Sequence, residues 1–182
     1  MEIKDDSSNP IFYFDLDNNQ PLPFNGNKNN WQLYIDGNKD INLNGITGTA
    51  GGSINQMFGT NQNPNWNHFK YMDLSGLNTS NVTDMSFLFS GDHHLQNVNL
   101  SNFDTHNVTK MNEMFQSDYD LRGLNLSNFN TSKVTTMNRM FYDDSSLAKV
   151  NVSSFDTSNV TNFVAMFSNG FDSDHVLRHN YV

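Results

Sequence analysis

Three aspartates, Asp92, Asp118 and Asp144, follow one another at intervals of 26 residues, and Asp120 and Asp143 stand close to two of them. Stacked one interval apart, Asp118, Asp120, Asp143 and Asp144 would bring four carboxylates to one edge. A hard cation such as calcium takes several oxygen ligands in irregular geometry, so this set is the candidate metal site of the sequence. No EF-hand loop and no Gly-Gly-x-Gly-x-Asp pattern accompanies it. The favoured expectation is therefore plainer: each Asp accepts hydrogen bonds from its own turn and faces water. His68 and His94 lie one interval apart, with Asp120 at the next equivalent position. A metal or acid–base site built on them would need a third converging ligand and a pocket, and the expectation is exposed loop histidines.

Nothing else in the chain has the spacing of a catalytic centre. There is no Gly-x-Ser-x-Gly elbow, no phosphate loop and no His-Glu-x-x-His, so neither an enzyme activity nor a cofactor is expected. Rows of polar residues do recur: Thr79, Thr105, Thr131 and Thr157 form one, and Asn81, Asn107 and Asn159 another, interrupted by Lys133. Ordered hydroxyls can bind ice or sugar, yet rows of this kind usually satisfy the backbone of turns, and that role is expected. The same repeats generate Asn-x-Ser/Thr sequons, to which no meaning for glycosylation is attached.

The elements that must hold these rows follow from the interval itself. Val82, Val108, Val134 and Val160 coincide at steps of 26, as do Phe89, Phe115, Phe141 and Phe167. A fixed period of this size is the signature of a repeat architecture. Four copies span 72–175, and the clearest reads VNLSNFDTHNVTKMNEMFQSDYDLRG. Val98 and Leu100 alternate like a strand, whereas Val108, Met111, Met114 and Phe115 follow the three-to-four spacing of a helical turn or two. SNFDT between them reads as a turn. One such unit cannot enclose its eight apolar side chains alone, so copies must stack and share a core. The expected fold is a leucine-rich-repeat-like solenoid, with short parallel strands and short helical turns in each coil. At about 4.8 Å per strand, four coils make a block on the order of 20 Å long.

Upstream, IFYFDL, WQLYID and KDINLNG look like strands separated by Asn/Gly turns, and residues 1–50 are expected to form a β-rich N-terminal cap. Residues 51–71 read as a degenerate first coil, because Ile54, Met57 and Phe58 imitate Met85, Leu88 and Phe89 across an insertion containing Pro64 and Trp66. Residues 176–182 are expected to be a C-terminal tail; FDSDHVLRHNYV reads as the start of a further coil, either a makeshift cap or a point from which the natural chain continues.

Composition narrows the class of partner. The chain has 182 residues, with ten Lys plus Arg against 19 Asp plus Glu and a net charge of −9. Phosphate backbones and anionic membranes would be repelled over most of its surface, so nucleic acid is discounted. The absence of cysteine excludes disulfides and thiolate sites, and fits either the cytosol or a Gram-positive exterior. No apolar run approaches the roughly 18 residues of a membrane span, and the opening MEIKDDSSNP lacks the features of a secretion signal. Fifteen Phe and nine Met predict a core that is aromatic and rich in thioethers.

The phrases LSNFDTHNVTKMNEMF, LSNFNTSKVTTMNRMF and VSSFDTSNVTNFVAMF closely resemble the BspA-type leucine-rich repeats of bacterial surface proteins, including those of lactobacilli. WQLYIDG is similar to the strand-rich stretch that often precedes such repeats, so the resemblance covers roughly residues 31–167. It implies an extracellular, wall-associated protein without enzyme activity, which binds host surface molecules, matrix proteins, mucin or glycans, or other bacteria. One departure is clear: where such repeats often carry Cys in Phe-x-x-Cys-x-x-Leu, this chain has Asp92, Asp118 and Asp144.

The expected binding surface is the strand face. Positions alternating with buried Met72, Leu74, Val98, Leu100, Leu124, Leu126, Val150 and Val152 point outward. They are Tyr71 and Asp73, Asn97 and Asn99, Gly123 and Asn125, and Lys149 and Asn151. The rival readings are a structural spacer that projects another domain from the wall and, ranked last, a carbohydrate-active enzyme.

Overall fold

The computed structural model describes residues 2–5, 10–15, 20–21, 31–34, 41–43, 47–59 and 69–168. His68, the insertion around Trp66 and the C-terminal tail lie outside them. The first four strands, β1 (Glu2–Asp5), β2 (Pro10–Asp15), β3 (Gln20–Pro21) and β4 (Trp31–Tyr34), form an antiparallel sheet in the order β3-β2-β1-β4. Two of the three upstream strand signals, IFYFDL and WQLYID, fall in this sheet.

The pairing changes character with the third signal. Strand β5 (Ile41–Leu43) runs parallel to β7 (Phe69–Asp73), which runs parallel to β9 (Asn97–Asn99). Strand β6 (Thr47–Ser53) likewise pairs in parallel with β8 (Gly76–Asp84). The parallel ladder thus begins at Ile41, inside the stretch assigned from sequence to the cap. Farther along, β10 (Gly123–Asn125) pairs with β11 (Lys149–Asn151), and single parallel bridges link Asp84 to Lys110, Lys110 to Thr136 and Thr136 to Asn162. The register advances by 28–31 residues in the first pairings, β5 with β7 and β6 with β8, and by 26 in every pairing from Tyr71 and Asp84 onward, so those later copies lie directly over one another.

The apolar rows read from the sequence fill the space between copies. Val82, Val108, Val134, Met85, Met111, Met137, Leu95 and Leu121 are completely buried. Phe58, Phe89, Phe115, Phe141 and Phe167 stack in a continuous pile, with ring centroids 5.5, 5.2, 5.7 and 5.1 Å apart and planes within 14°. Phe103 and Phe129 make a second, looser pair at 6.5 Å. Near-parallel rings at these separations are offset stacks, which add to the gain from burying large apolar surfaces.

The expected helical turn is not formed: the described residues contain no helix, and the segment from Met111 to Ser117 is a succession of turns. The reason lies in its backbone. Phe87, Glu113 and Arg139 take φ values of 58°, 55° and 52°, and Gly91, Ser117 and Asp143 take 82°, 62° and 64°. A left-handed residue every four positions interrupts any helix. The amides instead reach across to the next copy: Met111, Glu113, Phe115 and Ser117 donate to the carbonyls of Thr136, Asn138, Met140 and Tyr142 at 2.8–3.1 Å. Such inter-copy bonds pair every second amide of the segment in place of a helix's own ladder, and they leave Met111, Met114 and Phe115 inward.

Candidate functional site

The strand face is assembled from two outward rows. In register, Tyr71 lies beside Asn97 and Asp73 beside Asn99, while Gly123 lies beside Lys149 and Asn125 beside Asn151. Strands β9 and β10 belong to separate sheets, so the face is interrupted between its second and third copies. Met72 and Leu124 are buried behind it, as alternation requires.

The two rows differ in how far their polar groups are committed. The carboxylate of Asp73 and the side-chain carbonyls of Asn99, Asn125 and Asn151 accept the amide N–H of Ser75, Ser101, Ser127 and Ser153 at 3.0–3.2 Å. Each is an Asx turn that ends its strand. The Asn99 amide also donates to Asp73 at 3.0 Å. Hydrogen bonds from the Ser75 hydroxyl and amide, and then from Asn99, hold the Asp73 carboxyl below its ordinary range. The row of Asp73, Asn99, Asn125 and Asn151 therefore serves its own backbone, a demand that the alternation pattern does not reveal. The row of Tyr71, Asn97 and Lys149 is exposed. The Tyr71 ring is 42% accessible and its hydroxyl donates to Gln96 Oε1 at 3.0 Å.

The four carboxylates of the candidate metal edge do not converge. Asp118 and Asp144 are completely buried, as is Asp92, whereas Asp120 and Asp143 are only partly covered. This corrects the expectation that Asp92, Asp118 and Asp144 face water. The left-handed residues Gly91, Ser117 and Asp143, each just before one of them, turn the chain there. The amide of Asp92 donates to Asp118 Oδ1 and that of Asp118 to Asp144 Oδ1, both at 2.9 Å. The other oxygens, Asp118 Oδ2 and Asp144 Oδ2, are buried with no hydrogen-bond partner. Burial first, then the like charges of Asp144 and Asp92, push the Asp118 carboxyl well above its ordinary value. Burial likewise raises Asp144 to about 8, with Asp143 adding to it and the Asp118 amide opposing.

Among the described residues no three His, Cys, Asp or Glu side chains are grouped to hold a metal. The melting temperature is accordingly expected to be the same in calcium and in chelator. A calcium-dependent rise of several degrees would overturn this, because a ligand bound only by the folded state must stabilise it.

The remaining candidates resolve individually. His94 lies 3.5 Å from Asp120, both well exposed. His93 stacks on Tyr119 with centroids 4.6 Å apart, and burial, then His94, lower its pKa against the opposing effect of Asp120. Three members of the threonine row are structural: Thr79, Thr105 and Thr131 are buried, and each hydroxyl donates to the carbonyl of the residue 25 positions on, Asp104, Asn130 or Asp156, while accepting that residue's amide, whereas Thr157 is exposed. Asn107 and Asn159 donate to the carbonyls of Ser80 and Ser132, and Lys133 donates to Asn107. No helix among the described residues is long and apolar enough to cross a membrane.

A family model described as "Mycoplasma protein of unknown function, DUF285" matches residues 52–179. No curated protein and no solved structure matches the chain.

Proposed function

We propose, for a chain that belongs to the family described as Mycoplasma protein of unknown function, DUF285, a non-enzymatic adhesive role carried by a short leucine-rich-repeat-like solenoid of the BspA type. In this reading the protein is extracellular and wall-associated, and its partner is a host or matrix protein, mucin or a glycan. The observation that supports it most is the exposure of Tyr71 beside Asn97 on β7 and β9, and of Lys149 on the separate β10–β11 pair, on short parallel strands whose opposite side is packed against the core. A rigid, polar and amide-bearing edge of this kind suits a ligand held by hydrogen bonds rather than in an apolar pocket. Asp73, Asn99, Asn125 and Asn151 flank it as supports that also fix the strand ends.

The test begins by screening the intact chain against mucin, matrix proteins and glycans. The triple variant Tyr71→Ala, Asn97→Arg, Lys149→Glu is then titrated against the partner found. Because all three side chains are exposed, Asn97→Arg and Lys149→Glu should each alter stability by only about 0.5 kcal/mol, and Tyr71→Ala, which also loses its bond to Gln96, by about 1 kcal/mol, while affinity should fall at least tenfold. Asn99 is left intact because its side chain holds the turn that ends β9. Unchanged affinity in a folded triple variant would move the site off this face. A screen that finds no partner would favour a spacer that projects another domain.

A further inference from the structure

The buried aspartates call for an account independent of any partner. Asp92, Asp118 and Asp144 are completely buried and stand at one register position in three successive copies. The bonds they share run along the stack, from amide to carboxylate oxygen of the next copy. One oxygen of Asp118 and one of Asp144 face no donor at all. A buried carboxylate in that position costs far more than a carboxylic acid, because an ionised group loses its hydration while a neutral one loses much less. The charged groups acting on the column do not relieve this: Asp144 and Asp92 act on Asp118, and Asp143 acts on Asp144, all of one sign. The nearest imidazole in sequence, His93, follows Asp92 and is stacked on Tyr119. Burial lowers its pKa and so favours the neutral ring.

We propose that Asp118 and Asp144 form a proton-held lock between copies: their carboxyls are neutral while the copies are stacked, ionise when the copies separate, and so make mild acidity tighten the stack and alkalinity loosen it.

The direction follows from linkage. An unfolded aspartate ionises near 3.8, whereas Asp144 in the fold holds its proton up to about 8. Between those values the folded state binds more protons than the unfolded one, so stability is greatest at the acid end and falls as pH rises, levelling off only above the folded value. Asp73, Asp104 and Asp156, whose carboxyls are lowered by local hydrogen bonds, act in the opposite sense. Their effect is confined to pH values below the ordinary carboxylate range.

The experiment is unfolding of the full chain in denaturant from pH 5 to 8 at constant salt, for the wild type and for the double variant Asp118→Asn, Asp144→Asn. Asparagine keeps the Oδ1 acceptor that the neighbouring amide uses and cannot ionise. In the wild type the unfolding constant should rise about tenfold per pH unit for each carboxyl that holds its proton, so up to about a hundredfold for the pair. The double variant should lose most of that slope. Equal slopes in both proteins would overturn the proposal. Infrared spectra of the wild type test it without any substitution: a carboxylic-acid carbonyl band should persist at neutral pH and disappear on unfolding. Its absence from the folded protein would reject the lock even if the variant failed to fold.

Discussion

Phe115→Ala is expected to destabilise the protein by about 3–5 kcal/mol, while the adjacent Gln116→Ala changes stability by no more than about 0.5 kcal/mol. Phe115 is completely buried and sits in the middle of the phenylalanine pile, 5.2 Å from Phe89 and 5.7 Å from Phe141. Truncation removes a ring from two stacks at once and leaves a void that two copies must share. The ladder formed by the amides of Phe87, Phe89, Met111, Glu113 and Phe115 resists collapse into that void, so the cost should fall at the high end of the range. Gln116 is partly exposed, and its carbonyl, not its side chain, accepts the Gly91 amide. Chemical denaturation of the two variants measures the contrast. Similar midpoints would mean that the register of the repeat is wrong.

Thr105→Val should cost about 2–4 kcal/mol, and Thr109→Val, four residues away, about 0.5 kcal/mol or less. The Thr105 hydroxyl is buried, donates to the Asn130 carbonyl at 2.9 Å and accepts the Asn130 amide at 2.8 Å. Valine fills the same volume but leaves two backbone groups unpaired, each with its desolvation penalty. The Thr109 hydroxyl also donates to a backbone carbonyl, that of Thr83, at 3.1 Å. That carbonyl keeps the Thr109 amide at 2.9 Å when the hydroxyl is removed. Two threonines in the same copy are thus separated by redundancy rather than by hydrogen-bond count. Comparable losses in the two variants would show that the buried row does not carry the turn.

Much of this architecture was legible in the 26-residue interval. Val82, Val108 and Val134, and Phe89, Phe115 and Phe141, are buried where the rows require, and the alternation around Val98, Leu124 and Val150 locates β9, β10 and β11. The helical reading of Val108 to Phe115 failed because a three-to-four spacing also arises when a left-handed residue folds the chain between inward positions. Glu113 and Arg139 occupy that conformation without being glycine, so no residue type announces it. The direction of Asp118 and Asp144 was hidden for the same reason: Ser117 and Asp143 stand where only Gly91 gives a recognisable signal. The recurrence of Asp at a fixed place was visible; whether it faced water or core depended on one backbone angle before it. On the strand face, alternation gave the outward positions. It could not separate Tyr71, Asn97 and Lys149 from the neighbouring row, whose commitment to Ser75, Ser101, Ser127 and Ser153 arises only once the turns have formed.

The amides that donate from one copy to the carbonyls of the next, among them Met111 to Thr136, Phe115 to Met140 and Phe141 to Met166, have a mechanical consequence. Because these bonds run from copy to copy, tension applied across the stack loads them by opening rather than by shear. Bonds opened in that way break in sequence instead of sharing the force, so the outermost copy peels first while those behind it stay intact. Each detached copy then frees 26 residues, which at about 3.4 Å per residue is close to 90 Å of slack. A chain built this way yields to traction by paying out length in uniform steps, and the tension it can carry is capped by the grip of one copy on the next.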